Sequence, residues 1–285
     1  MITKHFSAIS FCPRAAFTLG DSPEMVCHCM LVETKHGLVL VDTGLFAEAD
    51  FAAMRAPRPF LTFMRPPRSR DATAARQIER LGYATKDVRH VVCTHLDVDH
   101  AGGISDFPEA EVHVMTAERE AVQTRRTMNE RRRYVPAHFA HELKWKTHDT
   151  GGETWKGFSA VRPLADDEPD VLLVPLHGHT RGHAAVAVRT EDGWLLHCGD
   201  AYFHHDEMTE KKRAPFWLEV FQKFIAVDDV ARRNNQERLR ELKTSHGDVR
   251  LFCAHSKREL DGCRTLERGE SADRNTKAKM EGERK

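Results

Sequence analysis

The segment His95, Leu96, Asp97, Val98, Asp99, His100 crowds four side chains able to bind a metal into six residues, directly behind the apolar run Val88 to Cys93. A strand that ends in such a cluster holds its donors on a rigid edge, and the fold must leave that edge open to a ligand. Three other places share the design. His177 to His183 follow the run Val171 to Leu176, Asp200 follows Trp194 to Cys198, and His255 follows Val249 to Cys253. Any one of the 18 histidines, taken alone, is ordinarily structural. Four strand-end groups in one chain point instead to a shared site. Imidazole and carboxylate together suit zinc, and also iron or manganese, whereas calcium and magnesium take oxygen donors. The cysteines lack any CxxC spacing, which argues against a thiolate zinc site.

Between these groups the chain alternates apolar runs with helical patterns. Cys27 to Thr34 and Gly37 to Asp42, separated by Lys35 and His36, read as a hairpin, and the second run ends in the turn signal Asp42, Thr43, Gly44. The Pro-rich stretch Pro57 to Pro67 reads as a surface loop that could cover a site. Asp71 offers an N-cap for a helix through Leu81, stopped by Gly82. Val112 to Met115 is a short strand, Thr116 caps one helix running to about Tyr134, and Trp217 to Lys243 is helical. Hairpins followed by strand and helix alternation predict two sheets packed face to face with helices outside, an α/β layered sandwich. From about Arg264 to Lys285 nearly every residue is charged, small or polar, so the sequence predicts a folded unit over 1–263 and a disordered tail over 264–285.

Lys plus Arg and Asp plus Glu both number 43, so no global field recruits nucleic acid or an anionic membrane. No run approaches membrane-spanning length, and the first twenty residues lack the apolar stretch of a signal peptide. Seven scattered cysteines, mostly inside apolar runs, suit buried thiols in a reducing compartment, so a cytoplasmic location is expected. The expected partner is a small-molecule substrate; the oligomeric state is not legible.

HLDVDH, the His179 of GHTRGH, the Asp200 of HCGD and the His255 of CAHS together resemble the metallo-β-lactamase-fold hydrolases, over roughly residues 20 to 256. That resemblance implies a four-layer αββα sandwich. Carried over by position, it implies that His95 and His179 hold a first metal, that Asp99, His100 and His255 hold a second, and that Asp200 bridges both. One position departs: the second His of the family's HxHxDH signature is Asp97. Asp97 either ligates, favouring a harder cation such as manganese or iron over zinc, or turns away and leaves the first site weak. Two divalent cations with Asp97, Asp99, Asp200 and one hydroxide sum to zero charge, so a full site buries no net charge.

The resemblance further implies a bridging water, acidified to a pKa near ~7 between cations ~3.5 to 4 Å apart. Asp99 beside it would be the catalytic proton carrier. DHAGG and GHT resemble the lactonase-like branch, which makes a lactone or other carboxylic ester the leading substrate. Those lactonases carry a Tyr where this chain has Phe203, with Tyr202 one position early. An organophosphate or phosphodiester is the rival substrate, and an iron-binding oxidoreductase or a non-catalytic metal protein are the readings from other classes.

Several residues near the motifs have plainer expectations. Arg125, Arg126, Arg131, Arg132 and Arg133, interleaved with Glu118, Glu120 and Glu130, read as a solvated helix face, with binding of an anionic group at the pocket as the alternative. His183 is expected to pack beside the ligands and His177 to lie outside them, and His197, His204 and His205 to be ordinary surface residues. Asp42 is expected to orient a ligand through hydrogen bonds. Trp145, Trp155, Phe216, Trp217 and Phe221 are expected in core packing or an oligomer contact rather than a pocket.

Overall fold

The apolar runs are continuous because both faces of each sheet are covered. The computed structural model describes residues 2–14, 19–20, 22–48, 56–67, 69–162, 164 and 171–267. Its strands are β1 (Ile2–Ser7), β2 (His28–Thr34), β3 (Gly37–Val41), β4 (Val88–Val92), β5 (Glu111–Met115), β6 (Lys144–His148), β7 (Glu153–Trp155), β8 (Phe158–Ala160), β9 (Val171–Pro175), β10 (Ala184–Thr190), β11 (Gly193–His197) and β12 (Val249–Phe252). One sheet has the order β1-β2-β3-β4-β5-β6, antiparallel through β3 and parallel from β3 to β6. The other has the order β12-β11-β10-β9, with β11 and β12 parallel.

Side-chain alternation divides each strand between two cores. Met30 and Val32 of β2 and Val39 and Val41 of β3 meet Val171 and Leu173 of β9 and Val186 and Val188 of β10 between the sheets. The intervening Leu31, Leu38 and Leu40 pack outward against Ala74 and Ile78 of α2 (Ala74–Arg80), Ala101 of α3 (Val98–Ala101) and Ala121 and Val122 of α4 (Thr116–Thr124). On the far side, Leu172, Val174, Ala185 and Ala187 meet Leu239 and Leu242 of α7 (Asp229–Ser245). Helix, sheet, sheet, helix is the αββα order the sequence implied.

Four local expectations are corrected. Pro57 to Pro67 is not a loop throughout: Arg58–Met64 forms a helix, α1. Its prolines stand at the N-cap, in the first turn and beyond the left-handed Arg65, where a missing N–H costs nothing. Thr73, not Asp71, caps α2, accepting from the Arg76 N–H, while Asp71 lies in a 3-10 turn. The single helix expected from Thr116 to Tyr134 is two, because Arg125 adopts a left-handed conformation and Thr127 with Glu130 forms a capping box that starts α5 (Met128–Arg133). Likewise Trp217 to Lys243 is split into α6 (Phe216–Ile225) and α7. At that break the Val227 and Asp228 N–H groups donate to the carbonyls of His179 and Gly178, at 3.1 and 2.8 Å. The interruption ties α6 and α7 to a candidate ligand loop. Residues 257–267 are helical, so the first four residues of the expected tail are ordered, and 268–285 lie outside the described residues.

Candidate metal centre

Every candidate donor leaves the C-terminal end of a strand. β4 runs into Thr94 to His100, β9 into His179, β11 into Asp200 and β12 into His255, with β3 ending beside them at Asp42. Parallel pairing of β3 with β4 and of β11 with β12 puts those ends on one edge of the sandwich. The turn after β3 is built tightly. Asp42 has a φ of +57°, a left-handed conformation that Asp tolerates better than most residues. This turn lies so close to the segment after His100 that a Cβ on Gly102 would stand 1.7 Å from the Leu45 carbonyl oxygen. DHAGG therefore needs its first glycine to let the His100 segment dock.

The seven sequence-selected residues converge into two linked clusters. In the first, Asp97 Oδ2 lies 3.4 Å from His95 Nε2 and 3.0 Å from His179 Nε2. Asp200 Oδ2 lies 3.9 and 3.3 Å from the same two nitrogens. In the second, Asp200 Oδ1 is 3.2 Å from His100 Nε2 and 3.1 Å from His255 Nε2, and Asp99 Oδ2 is 3.9 and 3.6 Å from those nitrogens. Asp200 thus reaches both clusters, its Oδ2 lying 3.2 Å from His255 Nε2 as well as 3.3 Å from His179 Nε2. Three of the triads, His95 with His100 and Asp200, His95 with Asp97 and His179, and Asp99 with His100 and His255, have their donor atoms mutually within 4.8 Å.

These donors fit a metal. The Nε2 atoms of His95 and His100 and the Oδ1 atoms of Asp97 and Asp200 are buried without a hydrogen-bond partner. Buried polar atoms left so are costly unless something binds them. The far sides of the His100 and His255 imidazoles are already engaged. His100 Nδ1 donates to Asp42 Oδ2 at 2.8 Å, and Asp42 also accepts from the Thr94 N–H and hydroxyl, both at 2.8 Å. His255 Nδ1 donates to the Val26 carbonyl at 2.9 Å. Such bonds leave the Nε2 lone pairs pointing into the clusters.

Charge is distributed unevenly across the site. Burial works to raise the Asp97 carboxyl, but the Arg133 guanidinium, His95 and His179 outweigh it and hold Asp97 well below the usual carboxylate range. Burial, with help from Asp200 and Asp97 and against His100 and His255, pushes the Asp99 carboxyl up. Burial and Arg133 lower His179 to about 4. Asp97 and Asp200 are therefore committed to their charge, and Asp99 is the carboxylate of the three nearest to taking a proton.

Arg133 is the residue the sequence reading misassigned. Far from being solvated, its side chain is 6% exposed, and its Nη1 donates to Asp97 Oδ2 at 2.7 Å and to His179 Nε2 at 2.9 Å. A guanidinium thus engages two donor atoms of the first cluster, where a cation would need the same lone pairs. Giving up one charge-assisted hydrogen bond costs roughly 1.5 to 3 kcal/mol, about ten- to a hundredfold in affinity. Arg133→Met should accordingly tighten the weaker step of a calorimetric zinc titration by at least about tenfold. An unchanged titration would show that the guanidinium yields without cost.

Glu118 and Glu130 also leave the expected solvated face. Both are buried, and Glu130 pairs with Arg181 at 2.7 Å. Glu118 accepts from the Leu96 N–H at 3.0 Å, the Gly182 N–H at 3.0 Å and the Tyr134 hydroxyl at 2.9 Å. One carboxylate thereby fastens the HLDVDH and GHTRGH segments to each other. Glu130 lies beyond the break at Arg125, which lacks the usual glycine, so its inward turn is not marked in the sequence.

The remaining candidates sort cleanly. His183 accepts from the Asp200 N–H at 2.9 Å and backs His95, while His177 is exposed. His197 and His204 are buried rather than on the surface, His197 donating to the His28 carbonyl, and His205 is half-buried. Trp155 is in the core, Trp145 lies under Arg119, and Phe216 and Trp217 are exposed. Phe221 lines a cavity of about 1100 Å³ that reaches Asp97, Asp99, His179, Asp200 and His255. Phe60, Met64, Phe203 and Ile225 make its apolar wall. The Phe203 ring stands 4.7 Å from that of His255, whereas the Tyr202 hydroxyl turns away to Glu259, 3.0 Å distant.

A family model described as the metallo-beta-lactamase superfamily matches residues 23–255. Over 232 residues the chain is 45% identical to a probable metallo-hydrolase of Mycobacterium tuberculosis, covering 81% of this chain and 74% of that protein. It is 25% identical over 259 residues to an N-acyl homoserine lactonase of Bacillus cereus, covering 89% and 90%. An N-acyl homoserine lactone hydrolase, solved with the product N-hexanoyl-L-homoserine at its catalytic metal centre, shares the fold with a TM-score of 0.69 at 21% identity, over 93% of this chain and 98% of that one.

Proposed function

Since the chain belongs to the metallo-β-lactamase superfamily and is a metal-dependent hydrolase of that fold, we propose that it cleaves lactones or other carboxylic esters. The observation that carries this reading is Asp200 facing two donor clusters at the base of an apolar-walled cavity. His95, Asp97, His179 and Asp200 would hold one divalent cation, and Asp99, His100, His255 and Asp200 a second, with zinc favoured by the imidazoles and manganese or iron by Asp97. Cations bound there would acidify a water into the nucleophile and polarise the scissile carbonyl.

The chain's own groups do the rest. Asp42 and Thr94 fix the His100 ring, Asp99 takes and delivers the proton, and the aromatic wall accepts an acyl portion while excluding bulk water. Relatives named as N-acyl homoserine lactonases support the ester class. The missing phenol at Phe203 supports an ester other than theirs. Six of the seven cysteines are buried free thiols, which supports a cytoplasmic setting.

The test is a panel of lactones, carboxylic esters, thioesters and phosphodiesters, run on zinc, manganese, cobalt and iron forms. Lactones or esters should give the highest kcat/KM by at least about tenfold, one pocket's worth of discrimination, and a chelator should abolish it. A phosphodiester at the top of the panel would overturn the substrate class.

A further inference from the structure

A third group of metal-type donors lies on β4 and β5, outside the clusters described above. His90 is five residues upstream of His95, roughly 16 Å along an extended strand. His90 Nδ1 is 3.1 Å from His113 Nε2 and 3.7 Å from Glu111 Oε2, and His113 Nε2 is 4.0 Å from the same carboxylate oxygen. A tetrahedral cation bound at 2.0 to 2.1 Å holds its donors about 3.3 Å apart. The catalytic clusters in this protein, with corresponding distances between 3.0 and 3.9 Å, are triangles of the same size.

The surroundings favour a cation in this triangle. His113 Nδ1 is 3.2 Å from His148 Nε2 on β6, with the two rings stacked at 12°. With Nδ1–H donated to His148, the His113 lone pair sits on Nε2, facing His90 and Glu111. Lys146 Nζ takes the other oxygen of Glu111 at 3.2 Å, orienting the carboxylate and leaving Oε2 toward the histidines. The side chains of His90 and Glu111 are 22% and 37% exposed, so an ion can enter from solvent, whereas His113 is buried and fixed. His90 and Glu111 are register partners on neighbouring parallel strands.

We propose that His90, Glu111 and His113 form a peripheral site for a zinc-type divalent cation, which clamps β4 to β5 and leaves its fourth position to water. Two imidazoles and one carboxylate are a donor set for zinc, copper or nickel rather than for magnesium or calcium. Because it is bound by the folded strands, the ion stabilises the parallel half of the sheet by mass action.

The chain is stripped with chelator, equilibrated against buffered free zinc in the micromolar range and counted for metal by plasma mass spectrometry. His90→Ala and the isosteric Glu111→Gln should each hold one ion fewer per chain than the unaltered protein, lose part of the zinc-dependent rise in Tm, and keep the hydrolytic rate. Equal zinc content in all three chains overturns the proposal. The outcome is a difference in ion count, so it is independent of which bond the catalytic clusters cleave.

Discussion

Asp200→Ala should weaken metal binding in both clusters at once. Turnover of whichever ester leads the panel should fall on the order of a thousandfold, the upper range for deleting one preorganised electrostatic partner, and bound metal should fall with it. The reason is that among the described residues no other carboxylate serves both clusters: Oδ1 stands 3.2 and 3.1 Å from His100 and His255, and Oδ2 stands 3.3 Å from His179. Without it, each cluster keeps three donors and loses the charge that joins them. Paired assays of kcat/KM and metal content on one preparation check this. A variant that keeps its metal and loses less than about tenfold in rate, roughly 1.4 kcal/mol of transition-state stabilisation, would mean that the clusters act independently.

The second large effect is expected at Asp99. Asn has the same shape but cannot carry a proton, so Asp99→Asn should lower kcat by about a hundredfold or more while KM changes little, the pattern of a group needed only in the transition state. Asp99 suits this role better than Asp97. Its carboxyl is pushed up by burial and by the Asp200 and Asp97 charges, and it borders the cavity. Asp97 is pinned as an anion by Arg133. The rate should be expressed per bound metal, which separates lost proton transfer from lost ligation. A normal rate per metal would remove Asp99 from the chemistry.

What could be read from the sequence followed from how strands terminate. The apolar runs before His95, His179, Asp200 and His255 each close on buried residues, and a buried strand end that runs into a polar cluster advertises the cluster. The same logic recovered Asp42, whose turn follows the second strand of the first hairpin. What it missed were side chains whose burial depends on a break in a helix. Arg133 and Glu130 lie on α5, whose direction is set at Arg125, and a left-handed arginine carries no sequence mark. α1 was hidden for the opposite reason, since its prolines look like helix breakers until their positions at its two ends are known. β1 and β6, at the two edges of the larger sheet, carry Lys4, His5, Lys144 and Lys146 among their apolar residues and show no clean period.

The Glu118 carboxylate has a bearing on how this scaffold can be diversified. Its three donors come from segments nearly ninety positions apart, Leu96 in one half of the polypeptide and Gly182 in the other. A chimera that joins the N-terminal half of this protein to the C-terminal half of a relative inherits an intact centre only if the incoming loop offers an amide where Gly182 does. Recombination libraries crossed between the two sheets should therefore tolerate fewer parents than ones crossed within either.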